Sequence, residues 1–247
     1  METQKSPRTL IAIINARHRK DWRDAIRKTW LLQVPQDKAD AFFFVGQGEP
    51  LGDPEGVVEL DCPDTYFGIP EKIKSLCKWA HAKGYERLLK CDDDVLLRVN
   101  DYLSSGIERY PYSGRSNRPE SPYAVPLGFC YTIDKKCMEI MSEESMPGTG
   151  SHKHWHSNDD ERWVAETLSQ HGILLHDDRR YFLHQHRFPT EEKARRPLRA
   201  PKRPMVDQSL WGNQPDQGTV AYCVHIAGEL EEKIAEYNKL WTRHRES

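Results

Sequence analysis

Apolar residues fall in short blocks along this chain, and their spacing alternates between two periods. Residues 9–16 (TLIAIINA) form an unbroken apolar run of strand length, which predicts a central strand covered on both faces. Over 20–32 the period changes. Trp22, Ile26 and Trp30 recur every fourth residue and predict a helix with one buried stripe. Arg23 and Arg27 flank that stripe, one turn apart. The runs 41–45 (AFFFV, closed by Gly46) and 57–60 read as two more strands. Ile69, Ile73, Leu76, Cys77 and Ala80 share a face of a helix over 69–82, with Pro70 suited to its first turn and Gly84 ending it. A buried strand near 88 then runs into three aspartates, Asp92, Asp93 and Asp94, and a second apolar run follows. Strand, helix, strand, strand, helix, strand is the order of an α/β, Rossmann-like layer with a mostly parallel sheet.

The second half is less regular. A short helix is expected over 99–107, then a loop over 110–122 rich in Pro, Ser, Gly and Arg. Residues 123–133 are strand-like, but Pro126 and Gly128 interrupt them, which predicts an edge strand or a kinked one near a ligand. A helix over 134–141 precedes a loop over 143–158 that carries His152, His154 and His156. A helix over 159–170 ends at Gly172, and short strands follow at 173–176 and 181–184. Residues 187–217 are basic, proline-bearing and without periodicity. A strand over 220–226 and an amphipathic helix over 229–243 complete the chain. No internal repeat or domain boundary is visible, so one domain over 9–245 is expected behind a flexible 1–8.

Composition narrows the class. With 37% hydrophobic and 30% charged residues, the 247-residue chain reads as a soluble, rather polar globular protein. A net charge of −2 gives no global pull toward nucleic acid or membrane. No apolar run approaches the roughly 18 residues of a membrane span, and the N-terminus lacks the apolar core of a signal peptide. The six cysteines form no C-x-x-C pair, and several lie in apolar runs. Unpaired thiols in a reducing, cytoplasmic setting are the expectation.

Three polar clusters remain once the core is assigned. Three adjacent carboxylates repel one another and need positive charge if they are to leave water. Mg2+ or Mn2+ supplies it through oxygen ligands and often bridges to substrate phosphates. A solvated acidic turn is the plain alternative, but α/β sheets bind ligands just past the carboxyl ends of their strands, where this triplet falls. The second cluster is Asn158 to Glu161, which also reads as acids capping a helix. The third is His184 and His186 at a strand end, with His225 in the last strand. Together they suggest a metal held by a strand-end carboxylate and a later histidine, with a separate carboxylate as general base.

Against this background the chain resembles the β1,3-galactosyltransferase family of inverting glycosyltransferases, which includes β1,3-N-acetylglucosaminyltransferases and Fringe-type enzymes. The resemblance runs through collinear blocks over about 9–241. Residues 23–30 (RDAIRKTW) are similar to the family's R-x-A-I-R-x-T-W, and 43–46 (FFVG) to its F-x-x-G strand. Asp64, Thr65 and Tyr66 followed by Lys72 match D-S-Y-x-N-L-T-x-K in spacing. Residues 90–95 (KCDDDV) are similar to the block holding the family's D-x-D motif. Tyr123, Gly128 and Tyr131 resemble Y-x-x-x-x-G-x-x-Y, and Asp160-Glu161 with Val164-Ala165 sits where the family has E-D-V-x-V-G. His225 and the helix ending in Trp241 resemble its C-terminal block.

The resemblance implies a single-domain GT-A fold, a Rossmann-like, mixed but mostly parallel sheet flanked by helices. Residues 9–97 would bind nucleotide, and 98–245 would hold the acceptor and the catalytic groups. It implies transfer of a hexose or N-acetylhexosamine from a UDP-sugar to a glycan, glycoprotein or glycolipid hydroxyl, with Mn2+ or Mg2+ as cofactor. Asp92, with Asp93 beside it, would face the uridine or ribose, and Asp94, together with Asp92, the metal. His225 or His186 would be a further metal ligand. Lys72, Arg23 and Arg27 would lie near the donor, and the segment up to Ala16 would wall the uracil pocket. Glu161 or Asp160 would be the base. A catalytically degenerate sugar-nucleotide or glycan-binding module is the alternative. A nucleic-acid partner for the basic run 195–203 is not expected. Eukaryotic relatives are typically Golgi proteins, so a Golgi lumen setting after loss of an anchor is the alternative location.

Overall fold

The computed structural model describes residues 8–116, 124–146, 160–186 and 221–226, with helical positions at 235, 238 and 242. The first apolar run forms β1 (Thr9–Ile14) at the centre of a seven-stranded sheet. Leu10, Ala12 and Ile14 face one core and Ile11 and Ile13 the other, all buried, as an all-apolar central strand requires. β1 pairs in parallel with β2 (Ala39–Gln47) and β4 (Arg87–Asp92), and β2 in parallel with β3 (Val57–Pro63). Beyond β4 come β7 (Pro126–Asp134), antiparallel, then β6 (Tyr112–Ser116) and β8 (His176–Asp177).

Helices cover both faces. On one lies α1 (Lys20–Arg27), whose Trp22 and Ile26 are buried. The helix predicted to run to 32 ends sooner, and Trp30 enters a 3-10 turn, still fully buried. Its indole Nε1 donates to the Val95 carbonyl at 3.0 Å, tying this block to the residue after the acidic triplet. The other face holds α2 (Ile69–Ala82), α4 (Lys135–Glu143) and α5 (Asp160–Gln170). A short α3 (Val99–Leu103) packs on the α1 side.

Three features depart from the sequence reading. The interrupted strand is not at an edge, since β7 lies between β4 and β6. Pro126 is its first residue, where a missing N–H breaks little of the ladder, and the register with β6 shifts opposite it. The expected loop over 110–122 contains β6, whose Tyr112, Ser113 and Gly114 are buried by their neighbours although Ser and Gly carry no strand preference. Finally, the apolar run after the triplet leaves the main sheet. β5 (Val95–Leu97) pairs antiparallel with β10 (Ala221–Ile226), which pairs in parallel with β9 (Tyr181–His186). Asp93 and Asp94 therefore form the turn between two sheets. The expected last helix, the histidine loop and the basic segment lie outside the described residues, apart from the three helical positions. Among the described residues no helix is long and apolar enough to cross a membrane, and Cys62, Cys77, Cys91, Cys130 and Cys137 are free and buried.

Candidate active site

A cavity of about 620 Å³ opens at the carboxyl ends of β1, β3 and β4, the end where a doubly wound sheet binds its ligands. Ile14, Asn15, Ala16, His18 and Arg19 line it after β1, and Asp64, Thr65 and Tyr66 after β3. Ile69 and Lys72 come from α2, Lys90 and the triplet from β4 and its turn. Gly128 and Phe129 of β7 and Asp160 and Glu161 of α5 close the far side. Carboxylates some 70 residues apart in sequence thus share one wall.

The three aspartates are not equivalent. Asp93 is buried, with Oδ2 accepting from Asn15 Nδ2 at 2.6 Å and Oδ1 paired with Arg19 Nη2 at 2.8 Å. Burial pushes its carboxyl up to about 7, against the pull of Arg19. Asp92 keeps a side chain 37% exposed and accepts from Lys90 Nζ at 2.7 Å. Asp94 is half-buried on the cavity wall.

Asn15, which the sequence reading passed over, is a hub. Its Oδ1 accepts from Arg23 and its carbonyl from Lys72 Nζ at 2.8 Å. It therefore joins β1, α1, α2 and the triplet. Lys72 also donates to Asp64 Oδ1 at 2.7 Å. Burial opposes the charge of Asp64, yet the Arg17 and Gly46 amides and Lys72 hold its carboxyl below the usual range.

Lys90 joins the two halves of the site. It is buried, and its ammonium donates to Asp92 and to the Gly128 carbonyl. Burial alone would strip its charge, but Asp92, Asp160 and Glu161 outweigh that and raise its pKa above the ordinary lysine range. Asp160 is 3% exposed, and its Oδ2 has no partner among the described residues. Burial, opposed by Lys90 and reinforced by Glu161 and Asp92, pushes its carboxyl well above the usual range. Glu161 lies directly over Gly128, where an added Cβ would come within 1.4 Å of its Oε1.

Arg23 and Arg27 are not brought into the cavity. Both clamp Asp53, with contacts of 2.9 Å from each, and Arg23's hydrogen bonds, helped by Arg27, hold that carboxyl well below its ordinary value. Arg23 touches the wall from behind, through Asn15 and the Ala16 carbonyl. For His225 and His186 the backbone register alone is described. β10 pairs Cys223 with Val95, so its continuation carries His225 toward the triplet, and His186 pairs with Ile226 at the same end.

No group of three or more His, Cys, Asp or Glu side chains poised for a metal exists among the described residues. Two carboxylates facing one cavity still fit a hard ion that takes its other ligands from diphosphate and water. Asp92 and Asp94 are the side chains that would hold it.

Two expectations arise from this geometry. An added Cβ at Gly128 would come within 2.7 Å of Glu161 Cγ, Cδ and Oε1, so Gly128→Ala must swing the whole Glu161 side chain aside, and some loss of thermal stability is expected. Any turnover in which Glu161 takes part should fall about 10²-fold, as for a catalytic group moved by an ångström or more. Thermal melts beside initial rates check this. Asp93 gives a pH signature. Its folded pKa of about 7 lies above the unfolded value, so the native state binds the extra proton and loses stability as pH rises between roughly 4 and 7, at up to about 1.4 kcal/mol per pH unit. The Tm difference between Asp93→Asn and wild type, without metal, should therefore move in the variant's favour from pH 4 to 7 and flatten above.

No family model matches this sequence, and no curated protein matches it. Among solved structures, a glycosyltransferase involved in the glycosylation of the major capsid of PBCV-1 is similar with a TM-score of 0.50 and 10% identity. The match covers 94% of this chain and 100% of that one. A Desulfovibrio desulfuricans G20 protein assigned as a nucleotide-diphospho-sugar transferase gives 0.46 and 11%, over 70% of this chain and 80% of its own. At 10% identity the first likeness is one of fold, and the second is too distant to carry an argument. The architecture is thus the GT-A-like one expected from the sequence, a mixed, mostly parallel seven-stranded sheet flanked by helices. The resemblance to the β1,3-galactosyltransferase family rests on its sequence blocks alone.

Proposed function

We propose that this protein is a glycosyltransferase that moves a hexose or N-acetylhexosamine from a UDP-sugar to a glycan hydroxyl, with inversion and a β1,3-type linkage. One observation carries the reading. The cavity at the strand ends combines an acidic turn, Asp92 to Asp94, with a facing carboxylate, Glu161, on a different element.

The roles follow from position. The end of β1, with Asn15 and Ala16, walls the nucleoside, and Lys72 sets that wall by gripping the Asn15 carbonyl and Asp64. Asp92 and Asp94 hold Mn2+ or Mg2+, with His225 or His186 as a further ligand. When bound, the ion offsets the charge of the leaving diphosphate. Glu161 takes the proton of the acceptor hydroxyl as its oxygen attacks the anomeric carbon, and the bond to UDP breaks with its electron pair. Its support over Asp160 is exposure, since both line the cavity but Glu161 is half-buried and Asp160 only 3% exposed. Lys90 keeps Asp92 and the β7 backbone fixed between them. The acceptor is a glycan, free or on protein or lipid, bound by the second half of the chain.

Release of UDP over a panel of UDP-sugars and glycan acceptors tests this. Acceptor-dependent release from at least one donor is the expected result. Nucleotide binding without release in every pairing would instead favour the degenerate binding module.

A further inference from the structure

A diphosphate entering this cavity meets Asp92, Asp94 and Glu161, so fixed positive charge must offset them. Among the described residues lining the cavity, three long basic side chains are candidates. Lys72 is buried and committed to the Asn15 carbonyl and Asp64. Lys90 is buried and committed to Asp92 and the Gly128 carbonyl. Arg19 differs. Its side chain is 36% exposed, one nitrogen pairs with Asp93, and its plane lies over Trp22 at 5.3 Å. Its Nε is buried without a hydrogen-bond partner.

We infer that Arg19 is the donor's diphosphate-binding residue, and that Asp93, the middle member of the triplet, serves to aim it. This rests on the nucleotide-sugar reading above and adds a residue to it. Both Asp93 oxygens are engaged, one by Asn15 and one by Arg19, so Asp93 is an anchor and not a free ligand. The anchor and Trp22 fix the guanidinium at Asp93, on the wall of the cavity that Asp92 and Asp94 also line. A guanidinium fork matches phosphate oxygens and is always charged. Arg23 and Arg27 have equal charge but spend it on Asp53.

The experiment is calorimetric titration of the full chain with uridine, UMP and UDP, with Mn2+ and in EDTA, for wild type, Arg19→Ala and Arg19→Lys. In Arg19→Ala, UDP affinity should fall about 10- to 100-fold, the range for one charge-assisted phosphate contact, while uridine affinity stays within about twofold. Arg19→Lys should recover part of the loss. An equal loss for uridine and UDP would mark Arg19 as a structural residue, and unchanged UDP affinity would remove it from the site; either overturns the inference. If wild type binds none of the three, the nucleotide-sugar reading itself falls, a result separable from both.

Discussion

Glu161→Gln is expected to lower sugar transfer by roughly 10²- to 10⁴-fold, the span for losing a general base, while UDP affinity stays within about twofold. The split follows from where the residue stands. Glu161 lies against Gly128 on the far wall, away from the strand-end groups proposed to hold the donor. Gln keeps the shape and cannot take a proton, so kcat should fall and the KM for donor should not rise. Asp160→Asn is the internal control. That carboxyl is 3% exposed and burial pushes it toward its neutral form, so its neutral isostere should cost transfer far less than Glu161→Gln. If the two variants exchange behaviour, the base is Asp160. Initial rates with saturating acceptor, beside UDP titrations, measure both halves.

The second large effect is expected at Asp94. Asp94→Ala should lower metal-supported turnover on the order of 10³-fold, the scale of several kcal/mol of lost charge stabilisation. It should also abolish the gain in UDP affinity that Mn2+ is expected to give wild type. Asp94 is half-buried on the wall, so its loss opens no core cavity, and the fold should survive. Asp92→Ala should add a stability cost, because it leaves buried Lys90 without its nearest carboxylate. Equal turnover of Asp94→Ala and wild type across a Mn2+ titration would remove the metal role from this residue.

What could be read from the chain, and what could not, divides along physical lines. β1, β2 and β4 were legible because a strand buried on both faces must be continuously apolar. The triplet's place on the strand-end cavity was legible because an apolar strand ending in acids points to the ligand edge of such a sheet. The partners of those acids were not. Asn15 and Arg19 follow β1 in a polar stretch that looks like loop, and only the folded chain brings them to Asp93. Arg23 and Arg27 carried the right chemistry, but no local pattern reveals that Asp53, 26–30 residues on, takes both. β6 was hidden because Ser and Gly acquire strand structure there from neighbours rather than from their own preference. The burial difference between the adjacent Asp160 and Glu161 was equally closed to sequence.

The most direct test of the central claim is a crystal structure of the full chain soaked with UDP and Mn2+. The expected result is the uracil against the end of β1, the diphosphate between Arg19 and Asp94, and Glu161 facing the vacant sugar position. UDP bound away from the carboxyl ends of β1, β3 and β4, or an ion held without Asp92 or Asp94, would contradict it.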